Sequence, residues 1–305
     1  MSSFAKKITI FLVLALFTTC LTGCNSHTFA ETENSLIVSA KELTDYMGKE
    51  NVVLVDMQSP EDYGKEHLEG AVNIPAESIV INVPVKNMLT SKKKMESIMS
   101  ASGISNDTLV IAYDTDKMSA SRLLWSLFMY GHENVKVVDG GFETIKAAGL
   151  SITDQVPSVT EAVFTAGEPS SEWLVDSSRV LEQVNSPRDN VILLDVRSDE
   201  EYYTEGKIPT SVMMNFTGNF FADGTFKTTE ITKINYLENK IYPEDEIIIY
   251  CKTSFRAAPV FVQLYEAGYR NIKLYDGAFL EWSSNSDNPV EMPDGAAAPS
   301  KKDAS

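Results

Sequence analysis

The chain has 305 residues, 43% of them hydrophobic, and a formal net charge of -17 at pH 7. That length and apolar content support two modest cores. The acidic balance, with no basic run beyond the short Lys92-Lys93-Lys94 and no aromatic-basic stripe, excludes a phosphate backbone and therefore a nucleic-acid partner.

Lys6 and Lys7 open a positive n-region, and Ile8 to Cys20 form an apolar run of signal length, shorter than the roughly 20 residues of a membrane span. The run ends in Leu21-Thr22-Gly23-Cys24, which resembles the bacterial lipobox. That resemblance implies removal of residues 1–23 and lipidation of Cys24. The mature protein is then expected outside the cytoplasm, anchored to the membrane surface by a lipid and joined to it by a tether over 24–34. An ordinary secretory signal cut near the same point is the alternative. The resemblance also implies that, of three cysteines, Cys20 leaves with the signal and Cys24 carries lipid, so that Cys251 has no thiol left for an internal disulfide.

Past the tether, apolar runs alternate with helical periodicity. Val52 to Val55, Leu109 to Tyr113 and Val135 to Val138 read as buried strands, with an apolar helix around Leu123 to Tyr130. Lys92 to Lys94 read as a solvated helix face. After a Ser/Thr/Pro/Glu-rich linker over 151–171 the same order returns. Val191 to Asp195, Glu246 to Tyr250 and Ile272 to Tyr275 read as strands, and Ala257, Val260, Phe261, Leu264 and Tyr265 recur at helical spacing up to Gly268. Strand and helix in alternation predict an α/β fold with a mainly parallel sheet in each half. The boundaries fall at 35–150 for domain 1 and 172–285 for domain 2, and the Pro/Gly/Ala-rich tail over 286–305 is expected to be disordered.

The two halves are copies. Gly131-His-Glu-Asn-Val-Lys-Val-Val-Asp139-Gly-Gly-Phe142 returns as Gly268-Tyr-Arg-Asn-Ile-Lys-Leu-Tyr-Asp276-Gly-Ala-Phe279, every position shifted by 137. The same shift carries Cys251-Lys-Thr-Ser-Phe-Arg256 back onto Asp114-Thr-Asp-Lys-Met-Ser119, so one copy keeps a sulfur where the other has an acid. Asp56 and Asp195 form a second matched pair.

Cys251 ends a predicted strand and precedes a helix by a few residues, which places it at the carboxyl edge of the sheet where α/β proteins bind ligands. Backbone N–H groups of such a loop, with the positive end of the next helix, favour a thiolate and an approaching anion. Lys252 and Arg256 are expected to add positive potential. The Cys-x4-Arg spacing of Cys251 and Arg256 is one residue tighter than the Cys-x5-Arg loop of cysteine phosphatases. It suits a single extra sulfur better than a phosphate. The three histidines lack ligand spacing, and neither a metal site nor a cofactor motif is readable.

With these motifs on the page, the chain resembles the tandem-domain rhodaneses, the thiosulfate and 3-mercaptopyruvate sulfurtransferases. Val53 to Pro75, including Asp56 and His67-Leu-Glu-Gly-Ala-Val-Asn-Ile-Pro75, is similar to the family's N-terminal signature. Asp139-Gly-Gly-Phe142, Asp276-Gly-Ala-Phe279 and Phe221 to Lys227 are similar to its later motifs. The resemblance implies two tandem rhodanese-like domains, with domain 1 catalytically silent and Asp114 inert. It implies ping-pong transfer in which Cys251 takes sulfur from a small anionic donor, holds it as a persulfide, and passes it to a thiophilic acceptor such as cyanide or a thiol. Lys252, Thr253, Ser254, Phe255 and Arg256 then surround the persulfide and Arg197 binds the donor anion. A bland alternative for Arg197 is a salt bridge to one of the acids from Asp199 to Glu201. Asp56 and Asp195 are expected to tie loop backbone. Lys252 and Arg256 resemble thiosulfate-preferring loops and Thr253-Ser254 mercaptopyruvate-preferring ones, and thiosulfate is the expected donor. Lys207-Ile-Pro-Thr-Ser-Val212 lacks the glycine of the family's turn. A lipid-anchored redox sensor or binding module that keeps Cys251 for oxidation is the competing class.

Overall fold

A computed structural model describes residues 27–294. The expected signal, Cys20, Cys24 and the end of the tail lie outside them.

Domain 1 runs β1 (Ile37–Val38), α1 (Ala40–Leu43), β2 (Val52–Asp56), α2 (Pro60–Tyr63), β3 (His67–Leu68), β4 (Val72–Asn73), β5 (Val80–Ile81), β6 (Met88–Leu89), α3 (Lys92–Ala101), β7 (Leu109–Tyr113), α4 (Ser119–Met129), β8 (Val135–Val138), α5 (Gly141–Ala147) and β9 (Ile152–Thr153). Domain 2 follows with β10 (Leu174–Val175), α6 (Ser177–Asn185), β11 (Val191–Asp195), α7 (Asp199–Glu205), β12 (Val212–Met213), α8 (Thr229–Glu238), β13 (Glu246–Tyr250), α9 (Ala257–Glu266), β14 (Ile272–Tyr275) and α10 (Ala278–Ser284). Two five-stranded parallel sheets result, ordered β1-β8-β7-β2-β4 and β10-β14-β13-β11-β12. The strands are near-continuous apolar runs because helices cover both faces of each sheet.

The repeat extends to register. Asp56 pairs with Tyr113 and Asp195 with Tyr250 at the carboxyl ends of the central strands. Each tyrosine hydroxyl donates to its aspartate, at 2.6 Å from Tyr113 and 2.9 Å from Tyr250, and accepts the backbone N–H of Leu68 or Ile208. The carboxylates also take the N–H of Gln58 and of Arg197, so both aspartates tie loop backbone at the sheet edge. Thr210 occupies the turn that lacks glycine and adopts φ +68°, against +83° at Gly70 in domain 1. A β-branched residue there stores strain that the glycine does not.

Helices α4 and α9 are equivalent in the repeat and bury against each other, so one apolar core crosses the domain boundary. Phe261 meets Phe128 edge-on at 6.1 Å and Trp173 at 5.5 Å between ring centroids, and the Trp125 indole donates to the Trp173 carbonyl at 3.2 Å. The backbone N–H of Leu89 donates to Asp276 at 2.6 Å, and that of Phe226 donates to Asp139 at 2.7 Å. Both pairs are related by the shift of 137, so the domains face each other about a pseudo-twofold axis.

Three stretches read as loose from composition are packed. The tether residues 27–34 form a strap on domain 2: Ala30 donates to the Gly268 carbonyl at 3.0 Å, Phe29 meets Tyr269 edge-on, and Arg270 donates to the Glu31 carbonyl. Gly268, at φ +92°, leaves no room for a side chain, because a Cβ there would lie 2.4 Å from the Ala30 oxygen. Along the linker, β9 pairs with β3, and Phe164 and Ala166 bury into domain 1. The described part of the tail packs on domain 2, Glu291 exchanging backbone hydrogen bonds with Lys207 and Pro289 accepting from the Trp282 indole. Polar composition hid these contacts because most are made by backbone groups.

Candidate active site

Cys251 directly follows β13 and α9 begins at Ala257, so the loop Cys251–Arg256 sits at the carboxyl edge of the second sheet. The thiol residue is 1% exposed. Phe279 donates its N–H to the Cys251 carbonyl at 2.9 Å, as Phe142 does to Asp114 at 2.8 Å in domain 1. Ser254 turns the loop at φ +68°, and its buried hydroxyl lies 2.7 Å from the Asp276 carbonyl and 3.2 Å from that of Tyr275. Lys117, its counterpart, has φ +64°, so both loops share one bend although their sequences have diverged.

The remaining loop residues point to different neighbours. Thr253 accepts a hydrogen bond from Asn87 of domain 1 at 3.2 Å. Phe255 packs on the shared core, its ring centroid 5.8 Å from the Arg122 guanidinium carbon. Arg256 grips both carboxylate oxygens of Glu201. Lys252 is paired with Glu205. Burial acts to raise the Glu201 pKa, yet the Arg256 hydrogen bonds and charge, with the Ser198 N–H, hold it down at about 2.

One electrostatic expectation is corrected by this geometry, and a second is narrowed. The loop is not a patch of uncompensated positive charge, because Glu201 and Glu205 from α7 each take one of its cations. Arg197 is engaged through two of its three guanidinium nitrogens, and Nη1 has no hydrogen-bond partner among the described residues. It is fully buried; Nε and Nη2 are held by Asp195, Nη2 also donates to the Gly206 carbonyl at 2.6 Å, and the guanidinium carbon stacks 3.8 Å above the Phe279 ring. A carboxylate two residues earlier on the same strand end captured the fork before Asp199 to Glu201 could. Asn87, Arg122, Glu201 and Glu205 carried no sequence signal, since each reaches the loop only through tertiary packing.

The equivalent loop in domain 1 is closed on itself. Asp114 accepts the backbone N–H of Lys117 at 2.9 Å and of Ala120 at 2.7 Å. Burial first, and then the nearby Asp116 charge, push its carboxyl up to about 7 against those two bonds. The domain 2 segment around Gly224 lies over Lys117, leaving little space.

A tandem pair of parallel α/β domains, with a cysteine loop at one sheet edge and an acid at the equivalent edge of the other, defines a duplicated α/β protein. The chain belongs to the rhodanese-like sulfurtransferase family: the rhodanese-like domain model matches residues 39–148 and again 179–285. A Haloferax volcanii protein bearing the name "Putative thiosulfate sulfurtransferase" is 29% identical over 256 residues, covering 79% of this chain and 88% of its own. The sulfur carrier protein TtuD of Thermus thermophilus is 28% identical over 240 residues, covering 73% and 84%. Among solved structures, YnjE superposes with a TM-score of 0.77 at 23% identity, covering 86% of this chain and 69% of that one. The anaerobic ergothioneine biosynthesis enzyme from Chlorobium limicola, in complex with trimethyl histidine, superposes at 0.75 and 22%, covering 84% and 70%. At these identities the structural likeness speaks for the fold.

Proposed function

We propose that this protein is a thiosulfate sulfurtransferase working through a Cys251 persulfide. The observation that carries the reading is the contrast between the two loops. In domain 1 a built-in carboxylate takes the N–H groups of Lys117 and Ala120. Their counterparts, Ser254 and Ala257, direct their backbone N–H groups to no acceptor among the described residues, nor do Thr253, Phe255 and Arg256 between them. Those amides are available to an anion carried on Cys251, and they lie at the start of α9, where the helix dipole favours negative charge.

The Cys251 thiolate attacks the outer sulfur of thiosulfate. As the new S–S bond forms, the old bond breaks and sulfite leaves with its electron pair. The persulfide's terminal sulfur carries the negative charge into the ring of amides. Cyanide or a thiol acceptor then attacks that sulfur, regenerating the Cys251 thiolate. The burial of Cys251 favours a donor of few atoms, and it counts against the redox-sensor reading, which needs a thiol open to peroxide. 3-Mercaptopyruvate remains the second donor to test.

The lipid anchor belongs to the same reading. His27, three residues past the proposed anchor, stacks on Tyr242 at 4.2 Å, a few residues before β13 begins. Cys251 is at the other end of β13, so an anchor at Cys24 sets the site on the side away from the membrane. Detergent-phase partitioning that is lost in Cys24→Ala supports the anchor; unchanged partitioning contradicts it.

The enzyme reading is tested by thiocyanate formation from cyanide with thiosulfate or 3-mercaptopyruvate. Cys251-dependent product is expected with thiosulfate. No product from either donor contradicts the reading.

A further inference from the structure

We propose that Glu205 is an internal competitor for the donor anion, a carboxylate that occupies the donor's charge-binding place and sets how tightly a small anionic sulfur donor is held. The inference rests on the sulfurtransferase reading for its substrate, but its test does not depend on turnover.

One oxygen of Glu205 serves two cations. Oε2 is paired with Lys252 Nζ and stands 3.6 Å from Arg197 Nη1. Arg197 is fully buried, and Nη1 has no hydrogen-bond partner, whereas Nε and Nη2 are fully engaged. A buried guanidinium nitrogen without a partner costs stability, so its persistence needs a reason. The reason offered by the geometry is an anion seated between Arg197 Nη1 and Lys252 Nζ, nearer to the buried nitrogen than the 3.6 Å at which Glu205 stands.

The position of Glu205 in its own helix points the same way. It is the last residue of α7, where the macrodipole disfavours a carboxylate. Helix stability does not explain it, and the pairing with the loop cation does. Gly206 follows at φ +80°, its carbonyl fixed by Arg197, so the exposed Glu205 side chain has a rigid base and an open way to solvent. Glu201 differs: it holds Arg256 through both oxygens and is the less exposed of the two acids.

The exchange is reversible and leaves the covalent chemistry unaltered. A donor anion displaces the Glu205 carboxylate from Lys252 and gains Nη1 of Arg197, and the carboxylate returns when the anion leaves. Anionic donors are thereby weakened relative to a loop whose cations are unpaired, and a dianion such as thiosulfate outcompetes a singly charged carboxylate.

The test is thiosulfate binding, measured by calorimetry on Cys251→Ala, in which no persulfide can form. In that background Glu205→Gln is expected to tighten thiosulfate about three- to five-fold, the weight of one half-exposed charge pair. Glu200→Gln removes a charge from an exposed residue of the same helix and is expected to leave the affinity alone. Glu205→Asp, which keeps the charge on a shorter arm, is expected to fall between. Unchanged or weaker binding in Glu205→Gln, or an equal gain in Glu200→Gln, overturns the proposal. A separate assay of persulfide formation with Cys251 present distinguishes the two readings. Tightened binding without persulfide sinks sulfur transfer and leaves the competitor, whereas persulfide with unmoved affinity sinks the competitor alone.

Discussion

Arg122, on α4 of domain 1, reaches across the interface to Asp276 of domain 2 at 2.7 Å, with both side chains buried. The same nitrogen donates to the Asn87 carbonyl at 3.0 Å. Asn87 touches Thr253, and the backbone carbonyl of Asp276 holds Ser254, so Arg122 braces the Cys251 loop from two sides. The repeat places Pro259 opposite, which cannot form a matching pair. Domain 1 therefore supports the Cys251 loop without a reciprocal contact of this kind.

Removing one partner of a buried pair leaves the other charge uncompensated. Arg122→Met is expected to cost about 3–5 kcal/mol in denaturant unfolding. The double variant Arg122→Met/Asp276→Asn should recover part of that loss. In the single variant, persulfide formation should slow even at temperatures where the protein remains folded. Stopped-flow donor kinetics beside circular dichroism separates the two effects.

The shared core predicts that the domains unfold together. Phe261 sits between Phe128 of domain 1 and Trp173 at the head of domain 2, and Phe261→Ala should destabilise by about 3–5 kcal/mol through the cavity it leaves. A single calorimetric transition, moved down as a whole, is the expected result. Two separated transitions in the parent protein would contradict a common core.

Asp114 gives a pH dependence from the equivalent loop of domain 1. Its folded pKa of about 7 lies above the ordinary 3.8, so the folded state binds the extra proton. The stability tied to that proton is fully present below pH 3.8 and is lost as pH rises through 7. Relative to Asp114→Asn, the parent protein should lose melting temperature between pH 4 and 8. Parallel curves for the two proteins would show that burial does not hold the proton.

Glu201 has the opposite sign. Its folded pKa of about 2 lies below the ordinary 4.5, so the stability it contributes is present above pH 4.5 and is lost as pH falls through 2. Glu201→Gln should remove that part of the acid sensitivity and free Arg256. Melting temperatures taken from pH 6 down to pH 2 check it, and an unchanged acid limb in the variant would contradict the pairing.

The strands and the placement of Cys251 were legible because the repeat and the apolar runs are local in sequence. β2, β7, β8, β11, β13 and β14 fall where Val/Ile/Leu runs end in a polar residue, and the shift of 137 set Asp114 against Cys251 without any structure. Side-chain partners were not legible. Arg197 reads as wholly open until the fold buries it and commits Nε and Nη2 to Asp195, and Lys252 and Arg256 read as positive until α7 brings Glu205 and Glu201 against them. The strap at 27–34 and the tail to residue 294 were hidden for another reason. They are held mainly by backbone groups and a few aromatic anchors, which leave no periodic pattern.

The central claim is that Cys251 carries the transferred sulfur. Intact-mass measurement of the purified protein after brief exposure to thiosulfate should show a gain of one sulfur atom, mapped to Cys251, absent in Cys251→Ser and discharged by cyanide. No gain with thiosulfate or 3-mercaptopyruvate, or a gain that survives in Cys251→Ser, would contradict it.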